Sequence, residues 1–149
     1  MSRCLNILLA EDNRHDAELI TEAFADSEIC HNIQVVADGE AALIHLRNRT
    51  PDLLFLDLNL PKMGGLDVLR SVRRTPNLEH VLVLILTNST SDDDVYAAYR
   101  AGANAYIRKP LGFDSLLTVV KSTTAFWFRV AVIPGRPAPR IDSGPPSAV

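Results

Sequence analysis

LLFLDLNLP, residues 53–61, is the stretch that decides the fold. Its first four residues, Leu53–Leu56, are all apolar and lack the polar alternation of a half-exposed strand. Such a run is typical of a strand that is covered on both faces of a parallel sheet. Asp57 ends the run, and a carboxylate beside a core strand is costly unless other groups compensate its charge. The stretch therefore predicts a central strand, and it raises the question of what Asp57 does there.

Strand and helix patterns alternate on both sides of this stretch. The other predicted strands, each followed by a helical pattern, are Cys4–Ala10, Asn32–Ala37, Val81–Thr87 and Asn104–Arg108. Five such units predict an α/β fold in which helices cover both faces of a parallel sheet. At 149 residues, a doubly wound sheet fits better than a closed barrel.

Composition limits the function classes. The 149 residues carry a formal net charge of −3, with 47% apolar and 22% charged residues, as in an ordinary globular domain. Nucleic-acid binding is not expected, because the chain has no basic excess. Cys4 and Cys30 lack the spacing of a zinc or redox motif, so we expect unpaired thiols in a reducing cytoplasm, with Cys4 packed as a small hydrophobe. The N-terminal apolar run is too short for a signal peptide.

Charged and polar residues follow the predicted strands at the points where they end. These residues are Glu11, Asp12, Asp57, Thr87 and Lys109. Since doubly wound sheets bind ligands at the carboxyl ends of their strands, we expect the five side chains to converge. Two carboxylates about 5 Å apart repel by about 3 kcal/mol at an effective dielectric of about 20, so a cation is needed to hold three of them together. Oxygen ligands favour Mg²⁺, and one carboxylate can then act as a nucleophile toward a phosphoryl group.

Each of these residues has a simpler explanation when it is taken alone. An aspartate after a strand is usually a turn former or a helix cap, and a single lysine is usually solvated. Only the combination of the five favours a phosphoryl-transfer site. Asp92, Asp93 and Asp94 are a different case, because three acids in the first turn of a helix complement its dipole. We do not expect a second metal site there.

Four motifs with the spacing of a known family run through the chain: LLAED at 8–12, LLFLDLNLPKMGGLDVL at 53–69, VLILT at 83–87 and YIRKP at 106–110. Together they resemble the receiver domains of two-component response regulators, over about Leu5 to Lys121. The resemblance implies a flavodoxin-like (βα)5 fold with a central parallel sheet of strand order 2-1-3-4-5.

The resemblance also implies roles for the acidic residues and for Asn59. Asp57 resembles the phosphoacceptor, Asp12 a direct Mg²⁺ ligand and Glu11 a ligand that acts through water. Asn59 is expected to supply a main-chain carbonyl as a further ligand. In this family Mg²⁺ is the cofactor.

Residues within or directly after the fourth and fifth predicted strands resemble the phosphate-binding and switch residues of the family. Lys109 is expected to pair with the phosphate, and the peptide before Pro110 is expected to be cis and to aim Lys109 inward. Thr87 resembles the hydroxyl that moves on activation, and Tyr106 the aromatic that swings in behind it. Asn88 departs from the pattern, because receivers usually carry a small residue at that position.

The end of the chain predicts self-association. From Thr123 to Pro134 bulky apolar groups lie on every side of the predicted last helix, so this helix needs cover on both sides. Lys121 and Arg129 interrupt the apolar run, which is therefore too short to span a bilayer. A fold-back onto its own domain is the simpler alternative. We favour a homodimer through Phe126, Trp127, Val130 and the arm that follows. We divide the chain into a receiver domain, 1–133, and a Pro/Gly-rich, partly disordered arm, 134–149.

The leading hypothesis is a response regulator that accepts a phosphoryl group on Asp57 from a sensor histidine kinase and has no output domain. The FWF-containing end is similar to the single-domain regulators paired with bacterial phytochrome kinases. One alternative is a phosphorylation-independent dimeric docking module with a vestigial acidic pocket. Another is a hydrolase with an aspartyl nucleophile, but such enzymes carry a second acid where this chain has Asn59. We therefore do not expect an enzyme.

Overall fold

The computed structural model describes residues 4–130, with side chains as far as Phe128. Five parallel strands form one sheet of order β2-β1-β3-β4-β5. They are β1 (Leu5–Ala10), β2 (His31–Val36), β3 (Leu53–Leu56), β4 (Leu82–Thr87) and β5 (Ala105–Arg108). The fold class and the strand order are therefore confirmed, and the predicted strand starts differ by one residue at four of the five strands.

Five α-helices connect and cover the strands. They are α1 (Arg14–Asp26), α2 (Gly39–Asn48), α3 (Gly65–Arg74), α4 (Asp92–Arg100) and α5 (Phe113–Ala125), and a π-helical turn, Phe126–Val130, continues α5. Side-chain caps start three of them: Asn13 accepts from the Asp16 amide, Asp38 from the Ala41 amide and Ser91 from the Asp94 amide. Within the described residues, no helix combines the length and apolar character needed to cross a bilayer.

Two apolar clusters lie on opposite faces of the sheet. Residues of α1 and α5 pack on one face, and residues of α2, α3 and α4 pack on the other. All residues of β3 and β4 are buried, as expected for central strands that are covered on both faces. The edge strand β2 is half exposed. The apolar run around Asp57 therefore lies at the centre of the sheet.

Gly65 brings α3 against the end of β3. A Cβ atom at this position would lie 2.1 Å from the Asp57 carbonyl oxygen, so only glycine permits this approach. The Gly65 amide donates to the Leu58 carbonyl at 2.9 Å. Gly65 thus positions the segment that follows Asp57.

Cys4 and Cys30 form a disulfide, so the expectation of unpaired thiols is wrong. The two residues directly precede β1 and β2, whose register pairs Leu5 with His31. This register brings the cysteine Cα atoms within 4.6 Å of each other, a distance that disulfides span. The cysteines therefore no longer argue for a reducing compartment.

The last helix packs one of its sides against the core. Leu116 and Val120 are buried, and Trp127 packs against the same apolar cluster. Phe126 is 52% exposed, and its ring meets Trp127 edge-on with 5.1 Å between the centroids. The side chain of Val130 and the arm at 134–149 lie outside the described residues.

Candidate functional site

Three carboxylates meet at the carboxyl edge of the sheet. Glu11, Asp12 and Asp57 each offer an oxygen, and these oxygens lie within 4.8 Å of one another. Glu11 and Asp57 are buried, whereas Asp12 is exposed. The sheet sets these positions, because the Glu11 amide donates to Val36 and the Asp57 amide donates to Ala10, which extends the strand ladders. The structure thus brings the expected acid cluster together.

Lys109 reaches into this cluster from the end of β5. Its Nζ atom lies 2.9 Å from Asp57 Oδ2 and also contacts Glu11 Oε1. The lysine side chain is only 8% exposed, and its amide donates to the Thr87 carbonyl. No peptide bond among residues 4–130 is cis, so the expectation of a cis peptide before Pro110 is wrong. Lys109 points inward from a trans peptide.

The second Asp57 oxygen has two donors of its own. Thr87 Oγ1 and the Asn59 amide both donate to Asp57 Oδ1, each at 3.0 Å. Burial alone would raise the pKa of Asp57, but hydrogen bonds from Asn59, Lys109 and Thr87 outweigh it and hold the pKa below its usual value. Asp57 is therefore ionised at neutral pH, as a nucleophile must be.

The net pKa shift of Glu11 has the opposite sign, because for this residue burial outweighs the hydrogen bonds. Burial raises the pKa of Glu11 to about 7, although hydrogen bonds from Lys109 and from the Asn13 amide oppose the shift. Burial would lower the pKa of Lys109, but its bonds to Glu11, Asp57 and Asp16 hold that pKa above its usual value. Lys109 thus stays charged, and Glu11 is the group that takes up a proton near neutral pH.

The acid cluster fits a hard divalent cation. Its oxygen donors are the type that Mg²⁺ binds, and ligands of one octahedral ion at about 2.1 Å lie roughly 3 to 4 Å apart. The 4.8 Å spread of the cluster needs only a small closure to reach that spacing. Asn59 follows Asp57 at the same edge, and its amide contacts Asp57. That the Asn59 carbonyl is a ligand stays a prediction.

Asp16 is a site residue that the sequence reasoning missed. Its Oδ2 atom lies 2.9 Å from Lys109 Nζ, although 93 residues separate the two in the chain. One signal was available: Asp16 follows the Glu11–Asp12 pair closely and lies in the first turn of the helix that begins there. Nothing in the sequence showed that Lys109 would reach this helix.

The two expected switch residues lie on neighbouring strands. Thr87 is fully buried and contacts Asp57. Tyr106 is half-buried, and its hydroxyl donates to the Ser89 carbonyl at 3.3 Å. Its amide donates to the Tyr99 hydroxyl at 3.0 Å. Tyr106 therefore contacts the loop that follows Thr87.

A doubly wound domain with an acid pair, a strand-end aspartate, a hydroxyl and a lysine around one point is the arrangement of a receiver. The chain belongs to the response regulator receiver domain family, whose model matches residues 7–121. It is thus a receiver-domain response regulator, a component of two-component signalling.

Two response regulators, Rcp1 and RcpA, are similar to this chain over most of its length. The chain is 35% identical to response regulator Rcp1 of Synechocystis sp. over 135 residues, which cover 86% of this chain and 92% of Rcp1. It resembles the crystal structure of the phosphorylated cyanobacterial phytochrome response regulator RcpA with a TM-score of 0.84 and 37% identity, over 89% of this chain and 99% of RcpA. It resembles the Mn²⁺-bound form of Rcp1 with a TM-score of 0.79 and 34% identity, over 87% of this chain and 99% of that structure.

Proposed function

We propose that this response regulator accepts a phosphoryl group on Asp57 from a sensor histidine kinase. The observation that carries the proposal is the environment of the Asp57 carboxylate: Lys109 holds one oxygen, and Thr87 and the Asn59 amide hold the other. These donors keep the carboxylate ionised and fix its direction. In the transfer, an Asp57 oxygen bonds to phosphorus while the bond from phosphorus to the histidine nitrogen breaks, and the imidazole leaves.

Lys109 and Thr87 are proposed to bind the phosphoryl oxygens. The new group carries about −1.5 to −2 charges at neutral pH, so it needs nearby donors. The lysine ammonium and the threonine hydroxyl already lie within hydrogen-bond distance of Asp57. They are thus positioned to stabilise charge as it develops on the transferred group.

Thr87 and Tyr106 are proposed to carry the signal outward. Tyr106 donates to Ser89, two residues beyond Thr87. A shift of the Thr87 hydroxyl toward the phosphoryl group would displace this loop and loosen the Tyr106 contact. Such a local change biases a two-state outer face.

Glu11, Asp12 and Asp57 are proposed to hold Mg²⁺, with the Asn59 carbonyl as a further ligand. When bound, the ion neutralises the negative charge that gathers at the site during transfer. The Mn²⁺-bound form of the relative Rcp1 supports a divalent cation. We do not expect turnover of external substrates, because Asn59 stands where aspartyl hydrolases of the haloacid-dehalogenase type carry a second acid.

Incubation with acetyl phosphate and Mg²⁺ tests the proposal. We expect mass spectrometry to show one added phosphoryl group on the wild type and none on Asp57→Asn. Asp67→Asn is the matched control, because Asp67 is an exposed aspartate of α3 that pairs with Arg70. Phosphorylation of the Asp57→Asn variant, or none of the wild type, would overturn the assignment. A chain that forms dimers without taking up phosphate would instead be a docking module.

The kinase is proposed to be of the phytochrome type, because RcpA is described as a cyanobacterial phytochrome response regulator. A purified, autophosphorylated phytochrome kinase should transfer its phosphoryl group to this chain faster than an unrelated histidine kinase does. Equal transfer rates from both would remove this refinement and leave the phosphoacceptor role intact. We also propose a cytoplasmic location, which cell fractionation tests.

A homodimer through the end of the last helix is also proposed. Phe126 is 52% exposed and packs edge-on against Trp127, so it offers an aromatic surface next to the core. Phe126→Ser should lower the solution mass measured by light scattering. Ile44→Ser is the control, because Ile44 is 58% exposed and lies on α2, which packs on the opposite face of the sheet from α5. An unchanged mass for Phe126→Ser would refute the surface.

A further inference from the structure

The Lys109 ammonium has a partner outside the acid cluster. Its Nζ atom contacts carboxylates from three places: Glu11 after β1, Asp57 after β3 and Asp16 in α1. A lysine ammonium carries three N–H donors, so each donor has one carboxylate. Glu11 and Asp57 belong to the cluster that fits a cation, whereas Asp16 does not.

Asp16 is held in place by the start of α1. The Asp16 amide donates to Asn13 Oδ1 at 3.0 Å. The Asn13 amide in turn donates to Glu11 Oε2 at 3.1 Å. One capping residue thus links Asp16 to Glu11 and holds the main chain from which the Asp16 carboxylate reaches Lys109.

We propose that Asp16 is a positioning residue for Lys109, which it anchors with an oxygen that the cation does not need, and that it thereby sets the Mg²⁺ affinity of the acid cluster. The inference rests on the proposed function, because it assumes that the cluster binds Mg²⁺.

Two physical effects of Asp16 are both expected to raise the Mg²⁺ affinity of the acid cluster. Without Asp16, Lys109 would rely on Glu11 and Asp57 alone and would compete more strongly with a cation for their oxygens. The cluster would also lose a nearby negative charge, since two 2.9 Å bonds to the same nitrogen place the Asp16 and Asp57 oxygens no more than about 6 Å apart. In water, one charge about 6 to 8 Å from a divalent ion changes its affinity about six- to tenfold, and salt screening at physiological ionic strength reduces this to about two- to threefold.

A purely structural role for Asp16 predicts a different result. Asp16 lies in the first turn of α1, where an acid complements the helix dipole. If this were its only role, removing its charge would lower the thermal stability slightly and would leave the Mg²⁺ affinity unchanged.

The test is calorimetric titration of Mg²⁺ into the full chain and into Asp16→Asn, Asp16→Glu and Glu18→Gln. We expect Asp16→Asn to bind about two- to tenfold more weakly, with the larger factor at low ionic strength. Asp16→Glu keeps the charge and should recover most of the affinity. Glu18→Gln should match the wild type, because this exposed acid of α1 pairs with Arg14. Thermal melting in EDTA verifies that each variant is folded.

Phosphorylation by acetyl phosphate gives the second readout. In Asp16→Asn the Mg²⁺ concentration for half-maximal phosphorylation should rise, while the rate at saturating Mg²⁺ changes much less, because Lys109 is retained. Equal affinities of a folded Asp16→Asn variant and the wild type would overturn the inference and leave the proposed function standing. Absence of Mg²⁺ binding by the wild type would overturn both.

Discussion

Raising the pH should destabilise the metal-free protein, because Glu11 must then lose its proton inside the fold. Burial raises the pKa of Glu11 from 4.5 to about 7. Between these two values the folded state binds more protons than the unfolded state, so the free energy of unfolding falls as the pH rises. The contribution of Glu11 is therefore fully present below about pH 4.5 and is lost as the pH passes 7.

The shift in the pKa of Glu11 sets the expected size of this effect. The difference between 4.5 and about 7 corresponds to about 3 kcal/mol. Between about pH 5.5 and pH 8, the part that is lost is about 2 kcal/mol. Glu11 is only 3% exposed, so solvent screens it little. The pKa of Asp57 is lowered and that of Lys109 is raised, so neither group titrates in this window.

Urea unfolding of the wild type and of Glu11→Gln, in EDTA at about pH 5.5 and pH 8, measures the effect. Glutamine resembles the protonated acid, so Glu11→Gln should lack about 2 kcal/mol of the decline that the wild type shows. Saturating Mg²⁺ should also abolish the decline, because a bound cation stabilises the ionised carboxylate. If the two proteins lose the same stability between the two pH values, Glu11 is not the titrating group.

Three further predictions concern stability and phosphate lifetime. Arg73→Ala should lower the free energy of unfolding in urea by about 3 kcal/mol, because the guanidinium donates to three main-chain carbonyls and to Asn104; an unchanged midpoint would refute this. Cys30→Ser should cost about 3 kcal/mol by opening a loop across a separation of 26 residues, and dithiothreitol should lower the melting temperature of the wild type but not of the variant. Asn88→Ala should lose its aspartyl phosphate faster than the wild type, because the exposed amide beside Thr87 hinders water and phosphatases; equal dephosphorylation rates would dispose of this idea.

The positions of the site residues could be predicted because strand ends are local features of the sequence. The run Leu53–Leu56 is apolar throughout, so it had to be a buried central strand, and Asp57 had to lie at its carboxyl end. The same reasoning applies to Thr87 after the apolar run of β4. Parallel pairing then brings the carboxyl ends of these strands to one edge of the sheet, and this can be predicted without knowing any side-chain contacts.

Contacts between distant elements could not be predicted in this way. Cys4 meets Cys30 only because β1 and β2 pair in one register, and the sequence does not state that register. Asp16 resembles any acid in the first turn of a helix until α1 is placed beside the end of β5. The cis peptide before Pro110 was expected from the family alone, and Lys109 reaches the site without it.

Excess negative charge is the physical condition that links the separate features of the site. One ammonium, that of Lys109, contacts three carboxylates, and Asp12 adds a fourth acid beside them. The repulsion that remains can be relieved by a proton on Glu11 or by a divalent cation, and the two compete because both act on the same oxygens. A phosphoryl group on Asp57 would add more negative charge, which a nearby positive charge would have to balance. We therefore expect phosphorylation to depend on the cation, because without it each further charge adds to a repulsion that Lys109 alone cannot balance.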